Sequence, residues 1–161
     1  MVRFNRFYRL IIWSVFIVLV ACETSSVQKQ NPDANDYTTT ESGLKYKIIK
    51  PGSGRKPTPN SWVRVHYVGQ HLNGVVFDTS YVKNKPLTIP LSAVIKGWVE
   101  GLQIMEEGAE FEFIVPASLA YGYRGVSVSD PDRTILPNET LKYTIEFLNI
   151  VDNPPSRIRL N

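Results

Sequence analysis

The chain has 161 residues, a formal net charge of +3 and a pI near 9.0. The positive excess comes from Arg3, Arg6 and Arg9, because without them 15 basic residues stand against 15 acidic ones. No basic cluster remains to bind nucleic acid, and a single cysteine excludes an internal disulfide.

The first 22 residues have the pattern of a cleaved targeting segment. A basic stretch precedes an apolar run, Leu10 to Ala21, which is shorter than the roughly 20 residues of a bilayer span. The run ends in "LVAC", which resembles the lipobox where signal peptidase cuts before a lipidated cysteine. We expect a lipoprotein signal peptide at 1–21 and lipid on Cys22. The alternatives are secretion with a free thiol and retention of the segment as an anchor.

Composition divides the rest of the chain into three parts. Residues 22–40 are polar and lack apolar periodicity, so we expect a flexible tether. The tail 153–161, "NPPSRIRLN", contains two prolines that block regular pairing, so we expect it to be disordered. Between them, residues 41–152 are long enough to form one domain with a single hydrophobic core.

Alternating apolar and polar residues predict several strands. In chain order these segments are "LKYKII" (44–49), "WVRVHYVG" (62–69), "EFEFIV" (110–115) and "LKYTIEFLNIV" (141–151). Between two strand-like runs, "LNGVVFD" (72–78) contains Asn73-Gly74, the dipeptide favoured in tight type I′ hairpin turns. We therefore expect a hairpin of that type between two strands.

One segment, Val94 to Met105, is predicted to form the main helix of the domain. Its apolar residues, Trp98 among them, fall on one side, yet Gly97 and Gly101 each cost about 1 kcal/mol relative to alanine. Glycines there predict that the helix backbone passes close to a strand or a ligand. One helix against several antiparallel strands predicts an α+β fold, with the helix covering the apolar face of the sheet.

Five motifs then follow one another in order. They are "VHYVG" (65–69), "FDTS" (77–80), "VIKGW" (94–98), "LAYG" (119–122) and "ILPNETL" (135–141). Together they resemble the FK506-binding-protein (FKBP) family of peptidyl-prolyl cis-trans isomerases over about residues 43–151. The resemblance implies an antiparallel half-barrel of five or six strands wrapped around one short helix. The lipobox adds a similarity to bacterial lipoprotein members of that family.

The resemblance also implies a set of site residues. Trp98 would form the floor of an apolar pocket, with Asp78 and Tyr121 as polar groups at its rim, and these three are the candidate catalytic residues. The candidate substrate-binding walls are Tyr67, Phe77, Leu87, Val94, Ile95, Ile135 and Tyr143. In the family, the tyrosine hydroxyl and the backbone N–H of the isoleucine bind ligand carbonyls. From spacing alone, Trp98 also fits an ordinary core residue, and Asp78 and Tyr121 fit structural roles.

Several positions differ from the common family pattern. The family often has an aromatic residue at the position of Leu87 and phenylalanine at the position of Tyr143. It often has an arginine that partners the aspartate of the "FD" motif at the position of Lys83, and an acidic residue at the position of Ala93. The loop 123–134, "YRGVSVSDPDRT", is longer than in the minimal member. We expect the four substitutions to affect ligand affinity, and the loop to affect substrate choice because it borders the pocket.

The implied chemistry requires few polar groups. An X–Pro bond has a rotational barrier of about 18–20 kcal/mol and exchanges in tens to hundreds of seconds without a catalyst. Reaching milliseconds means removing about 5–6 kcal/mol. No bond is broken, so the site needs apolar surroundings and contacts that fit the twisted amide, and no nucleophile, base, metal or cofactor.

Other candidate residues have weaker patterns. His66 and His71 lack a third metal ligand at useful spacing, so we expect them to be structural or exposed. Asp130 and Asp132 flank a proline and fit no calcium-binding loop.

The leading prediction is therefore a monomeric isomerase, lipid-anchored in a bacterial cell envelope and facing the periplasm or the exterior. Its partners would be proline-containing polypeptides of envelope or secreted proteins, FK506-like macrolides, and the membrane. The alternative is a non-catalytic module that holds proline segments as a chaperone or scaffold.

Overall fold

The computed structural model describes residues 36–154. The predicted signal peptide 1–21, the predicted lipidation site Cys22, most of the predicted tether, and residues 155–161 of the predicted tail lie outside the described residues. Within the described part, no helix is both long enough and apolar enough to cross a bilayer.

Seven antiparallel strands and one α-helix make up the described domain. The strands are β1 (Thr38–Thr39), β2 (Lys45–Lys50), β3 (Trp62–His71), β4 (Val76–Thr79), β5 (Leu87–Pro90), β6 (Glu110–Val115) and β7 (Leu141–Ile150), and the helix α1 is Lys96–Ile104. The sheet order is β1-β2-β6-β7-β3-β4, with β5 pairing a second part of β3. The predicted α+β fold, an antiparallel sheet with one short helix, is confirmed.

The sheet has seven strands where the resemblance implied five or six. The two short strands β1 and β5 have no alternating pattern long enough to be recognised in sequence. Residues Thr38 and Thr39 pair with Tyr46 and Lys45, and the hydroxyl of Tyr37 bonds to Glu112. Thr38 and Thr39, which the sequence placed in the tether, thus form an edge strand, a position that suits polar, β-branched residues.

The helix starts later than the sequence predicted. It begins at Lys96 rather than Val94, since Val94 and Ile95 are extended and Ile95 is the N-cap. Gly97 and Gly101 are buried against β6: a Cβ at Gly97 would lie 2.5 Å from Val115 Cγ1, and one at Gly101 would lie 2.7 Å from Phe113 Cε1. The predicted close approach of the helix backbone to a strand is confirmed.

The hairpin between β3 and β4 forms, but its turn type differs from the prediction. A type I′ turn needs positive φ at both central residues. Here Gly74 alone has one, at 91°, while Asn73 does not. The Gly74 N–H donates to the carbonyl of His71, the His71 N–H donates to Val75, and the pairing shifts at Gly69 and Gln70. The type I′ prediction was wrong because a longer turn with a bulge closes this hairpin.

Candidate functional site

Aromatic rings from one helix and three strands meet at Trp98. Its side chain is buried, and its ring meets the rings of Tyr67 and Tyr143 edge to face at centroid distances of 5.2 and 5.4 Å. Phe77 meets Tyr143 in the same way at 5.7 Å. Edge-to-face pairs at these distances are favourable beyond the area they bury. Helix α1 and strands β3, β4 and β7 therefore supply one packed aromatic cluster.

Alternation along β3 and β7 explains how these rings come together. Tyr67 and Tyr143 both occupy the inward-facing positions of their strands, and Gly69 lies directly opposite Tyr143 in the sheet. A Cβ at Gly69 would lie 2.8 Å from the ring of Phe77 and 2.9 Å from that of Tyr143. The glycine leaves the space that the two rings occupy.

Polar groups lie at the exposed side of the cluster. The Tyr67 hydroxyl donates to Asp78 Oδ2 over 2.7 Å, and the Thr79 N–H donates to Asp78 Oδ1 over 2.9 Å. Within residues 36–154 the structure shows no ion pair between Asp78 and Lys83, so the tyrosine is the partner of this carboxylate. Tyr121 is 38% exposed, the most accessible of the three tyrosines.

The phenol groups of the cluster stay protonated. Burial, and after it the hydrogen bond to Asp78, raises the pKa of Tyr67 above its ordinary value. Burial, and after it the neighbouring Tyr121, raises the pKa of Tyr143. An unperturbed tyrosine already titrates near pH 10. Tyr67 and Tyr143 are therefore neutral hydroxyl groups at physiological pH.

Two hydrogen-bond donors near the start of α1 have no partner in the described part of the chain. The indole Nε1 of Trp98 is buried and unbonded, and the Ile95 N–H donates to none of residues 36–154. The Ile95 carbonyl, by contrast, accepts from Trp98 and Val99. Buried donors are nearly always paired in proteins, so the enclosed indole N–H is an exception, whereas the N–H of the half-buried Ile95 is free to bind an acceptor from outside the chain.

The remaining predicted wall residues belong to the hydrophobic core or pack against it. Ile135 is buried and exchanges two 2.8 Å backbone hydrogen bonds with Val126. Val94, Ile95 and Leu87 are half-buried and pack against the same core, Leu87 from β5 opposite Val65.

Residues 53–148 match the sequence profile of the FKBP-type peptidyl-prolyl cis-trans isomerases. The chain belongs to this family.

Relatives of this FKBP-type chain come from several bacteria. The probable FKBP-type peptidyl-prolyl cis-trans isomerase FkpA of Neisseria meningitidis is 41% identical over 80% of this chain and 46% of its own length. The outer membrane protein MIP of Legionella longbeachae is 47% identical over 68% of this chain and 45% of its own. The chain therefore spans about half the length of these curated relatives. The crystal structure of FkpA from Escherichia coli aligns with a TM-score of 0.67 at 36% identity, covering 73% of this chain and 53% of that one.

Three residues beside the FKBP-type site were not recognised as part of it in sequence. Arg133 Nε donates to the Phe77 carbonyl over 3.2 Å, and His71, whose ring lies 5.2 Å from that of Phe77, bonds to Glu139. His71 and Glu139 line a surface cleft of about 460 Å³, together with Val75, Val128 and Leu136. Because the partners are 56 to 68 positions apart in the chain, no local pattern could have revealed them.

Proposed function

We propose that this chain is a peptidyl-prolyl cis-trans isomerase acting on X–Pro bonds of envelope or secreted polypeptides. The observation that carries the proposal is the buried Trp98 ring, flanked by Tyr67 and Tyr143, with the exposed Tyr121 beside Tyr143. A proline ring resting on this indole would bring its amide out of water. Low polarity disfavours the charge-separated planar amide and thus lowers the barrier to rotation.

In this proposal two donors bind substrate carbonyl groups. We assign the free N–H of Ile95 and the hydroxyl of Tyr121 to bind the carbonyls that flank the twisting bond. Asp78 holds the Tyr67 hydroxyl at the rim over 2.7 Å, which fixes that side of the entrance. Since the reaction makes and breaks no covalent bond, contacts that fit the twisted amide better than the planar one are sufficient for catalysis.

The remaining candidate residues serve as walls in this proposal. Phe77, Ile135 and Tyr143 enclose the proline ring, while the half-buried Leu87 and Val94 contact the flanking residues of the substrate. We expect FK506-like macrolides to compete with peptide for this pocket. Leu87 and Tyr143 differ from the residues common in the family, so we expect both to change the affinity for these macrolides.

Tyr121→Phe tests the role of the rim hydroxyl. One neutral hydrogen bond is worth about 0.5–1.5 kcal/mol, so we expect kcat/KM to fall roughly two- to twelvefold. The measurement is a protease-coupled isomerisation assay on a proline peptide. Tyr123→Phe is the matched control, since Tyr123 is 72% exposed and bonds only to Arg124 within the described chain. Equal values of kcat/KM for the two variants would mean that the Tyr121 hydroxyl does not take part in catalysis.

A second candidate function is a proline-binding chaperone that does not catalyse isomerisation. The exposed apolar side chains of Val75, Val128 and Leu136 beside the aromatic cluster favour it, because such a surface suits an unfolded client. The same assay separates the two functions. A folded protein that binds the peptide yet leaves its isomerisation rate at the buffer value would be a chaperone and not an isomerase.

The proposed location is the bacterial cell envelope, with a lipid on Cys22 holding the domain at a membrane. The "LVAC" sequence supports this, as does the name of the Legionella relative, an outer membrane protein. Two or more acyl chains hold a protein firmly, whereas one binds marginally. We expect Cys22→Ser to move the protein from the membrane fraction to the soluble fraction or to leave it uncleaved. Mass spectrometry that finds an unmodified Cys22 at the mature N-terminus would contradict the lipid anchor.

A further inference from the structure

Both ring nitrogens of His71 are held by groups of one segment of the chain. Nδ1 lies 2.5 Å from Glu139 Oε1, and Nε2 lies 3.0 Å from the backbone carbonyl oxygen of Asp132. The imidazole is largely buried, with 11% of its side chain exposed. His71 at the end of β3 is therefore fixed from two sides by the segment that runs from Asp132 to Glu139.

The chemistry of these two partners determines the protonation state that fits. A backbone carbonyl and an ionised carboxylate accept hydrogen bonds and donate none. Neutral histidine has one N–H, so either tautomer would set a lone pair against one of the two oxygens. Doubly protonated histidine donates to both. The contacts of His71 are thus complete in the imidazolium form and incomplete in the neutral form.

The segment held by His71 carries one wall of the candidate site, Ile135, and bonds to a second, Phe77. Glu139 uses its other oxygen, Oε2, to accept the Leu136 N–H over 2.7 Å, directly beside Ile135. The His71 ring also packs against Phe77, whose carbonyl accepts from Arg133 of the same segment. Loss of one His71 contact would loosen Ile135 and Phe77 together.

We propose that His71 is a positioning residue for proline binding, whose imidazolium form holds Ile135 and Phe77 in place around the substrate. The proposal rests on the isomerase function proposed above. His71 does not touch the substrate; it acts through the Asp132–Glu139 segment.

The local charges act in the direction that this role requires. Burial lowers the pKa of His71, but the hydrogen bonds to Glu139 and Asp132 and the negative charges of these two residues outweigh burial, so the pKa is raised. Of the described groups, these two carboxylates are the charges that act on the ring. Because the pKa of His71 is raised, both hydrogen bonds of its imidazolium form are present below about pH 6.5, the ordinary pKa of histidine. They are lost as the pH rises through the pKa of His71 in the folded protein.

The test is the pH profile of kcat/KM and KM for the full chain between about pH 5.5 and pH 9, where histidine titrates. We expect kcat/KM to fall roughly three- to tenfold above the pKa of His71, mostly through KM, as for one lost hydrogen bond. His71→Leu should lack this inflection and bind weakly throughout.

Glu139→Gln is the decisive variant because it restores the contacts of neutral histidine. Its amide oxygen can still accept from Leu136, while its NH₂ group donates to an unprotonated Nδ1. We expect the inflection to disappear and the activity at high pH to be retained. His66→Gln is the control, since the chain has two histidines and His66 bonds to Ser80 instead. An inflection that persists in Glu139→Gln, or disappears in His66→Gln, would overturn the proposal.

NMR separates this proposal from the function on which it rests. The Ile135 amide resonance should titrate together with the His71 ring in the full chain, whether or not isomerisation is observed. If the Ile135 resonance titrates with His71 but no isomerisation is observed at any pH, the isomerase function is wrong and the positioning role of His71 is retained. If Ile135 does not respond to His71, the positioning role is wrong.

Discussion

Trp98→Ala is expected to lower the free energy of unfolding by about 3–5 kcal/mol, the usual range for a buried aromatic residue. The indole is packed between Tyr67 and Tyr143, and its removal leaves a cavity at the junction of α1 and the sheet. Chemical denaturation of both proteins measures the loss. A cost below about 1 kcal/mol would mean that the ring lies at the surface rather than inside the cluster.

Trp98→Leu distinguishes the role of Trp98 in binding proline from its contribution to the stability of the domain. Leucine keeps an apolar floor but loses the flat surface on which a proline ring would rest, so we expect a folded protein with weaker binding of a proline peptide. Phe147→Leu is the matched control, because Phe147 is also buried and lies four residues beyond Tyr143 on β7, opposite Val65. Peptide titration beside thermal melting should show weakened affinity in the Trp98 variant alone. Unchanged affinity in a folded Trp98→Leu protein would make Trp98 an ordinary core residue.

Gly125→Ala is expected to have the second largest effect, through two separate costs. Gly125 has a φ of 61°, a left-handed conformation that costs other residues about 1–2 kcal/mol. A Cβ there would also lie 2.3 Å from the Ile135 carbonyl oxygen, which is backbone and cannot rotate away. Relieving this overlap shifts the Val126–Ile135 bridge and costs about 1–3 kcal/mol more.

Gly122→Ala isolates the first of these costs. Gly122 has nearly the same φ, 62°, but a Cβ there meets no atom within 4 Å. The difference in unfolding free energy between the two variants therefore measures the overlap with Ile135, and urea denaturation provides both values. Equal losses in the two variants would mean that the loop adjusts freely and does not fix the Ile135 wall.

The sequence predicted the parts of the fold that depend on local patterns. The alternation in "EFEFIV" and "LKYTIEFLNIV" marked β6 and β7, and the paired glycines predicted the close contact of α1 with the sheet. Three of the family motifs contain Tyr67, Phe77 and Trp98, which form one aromatic cluster with Tyr143. Each of these features is encoded within a few neighbouring residues, where periodicity and glycine placement are informative.

Features that depend on tertiary contacts were missed or misplaced. The strand β5 is four residues long and forms because it pairs with β3, and the start of α1 is set by the turn before it. The hairpin type followed the pairing of β3 with β4 rather than the preference of Asn-Gly. His71 was predicted to be structural or exposed, and its link to the site requires Glu139, 68 positions away. Such pairs become visible only in the folded chain.

The central claim is that the Trp98 site catalyses X–Pro isomerisation, and exchange NMR on a proline peptide tests it most directly. Uncatalysed exchange takes tens to hundreds of seconds, so the cis and trans resonances show no cross-peaks at a mixing time of about one second. With a catalytic amount of this protein we expect strong cross-peaks, weakened in Trp98→Leu and retained in Phe147→Leu. A folded protein that produces no cross-peaks, or one whose cross-peaks are unchanged by Trp98→Leu, would contradict the claim.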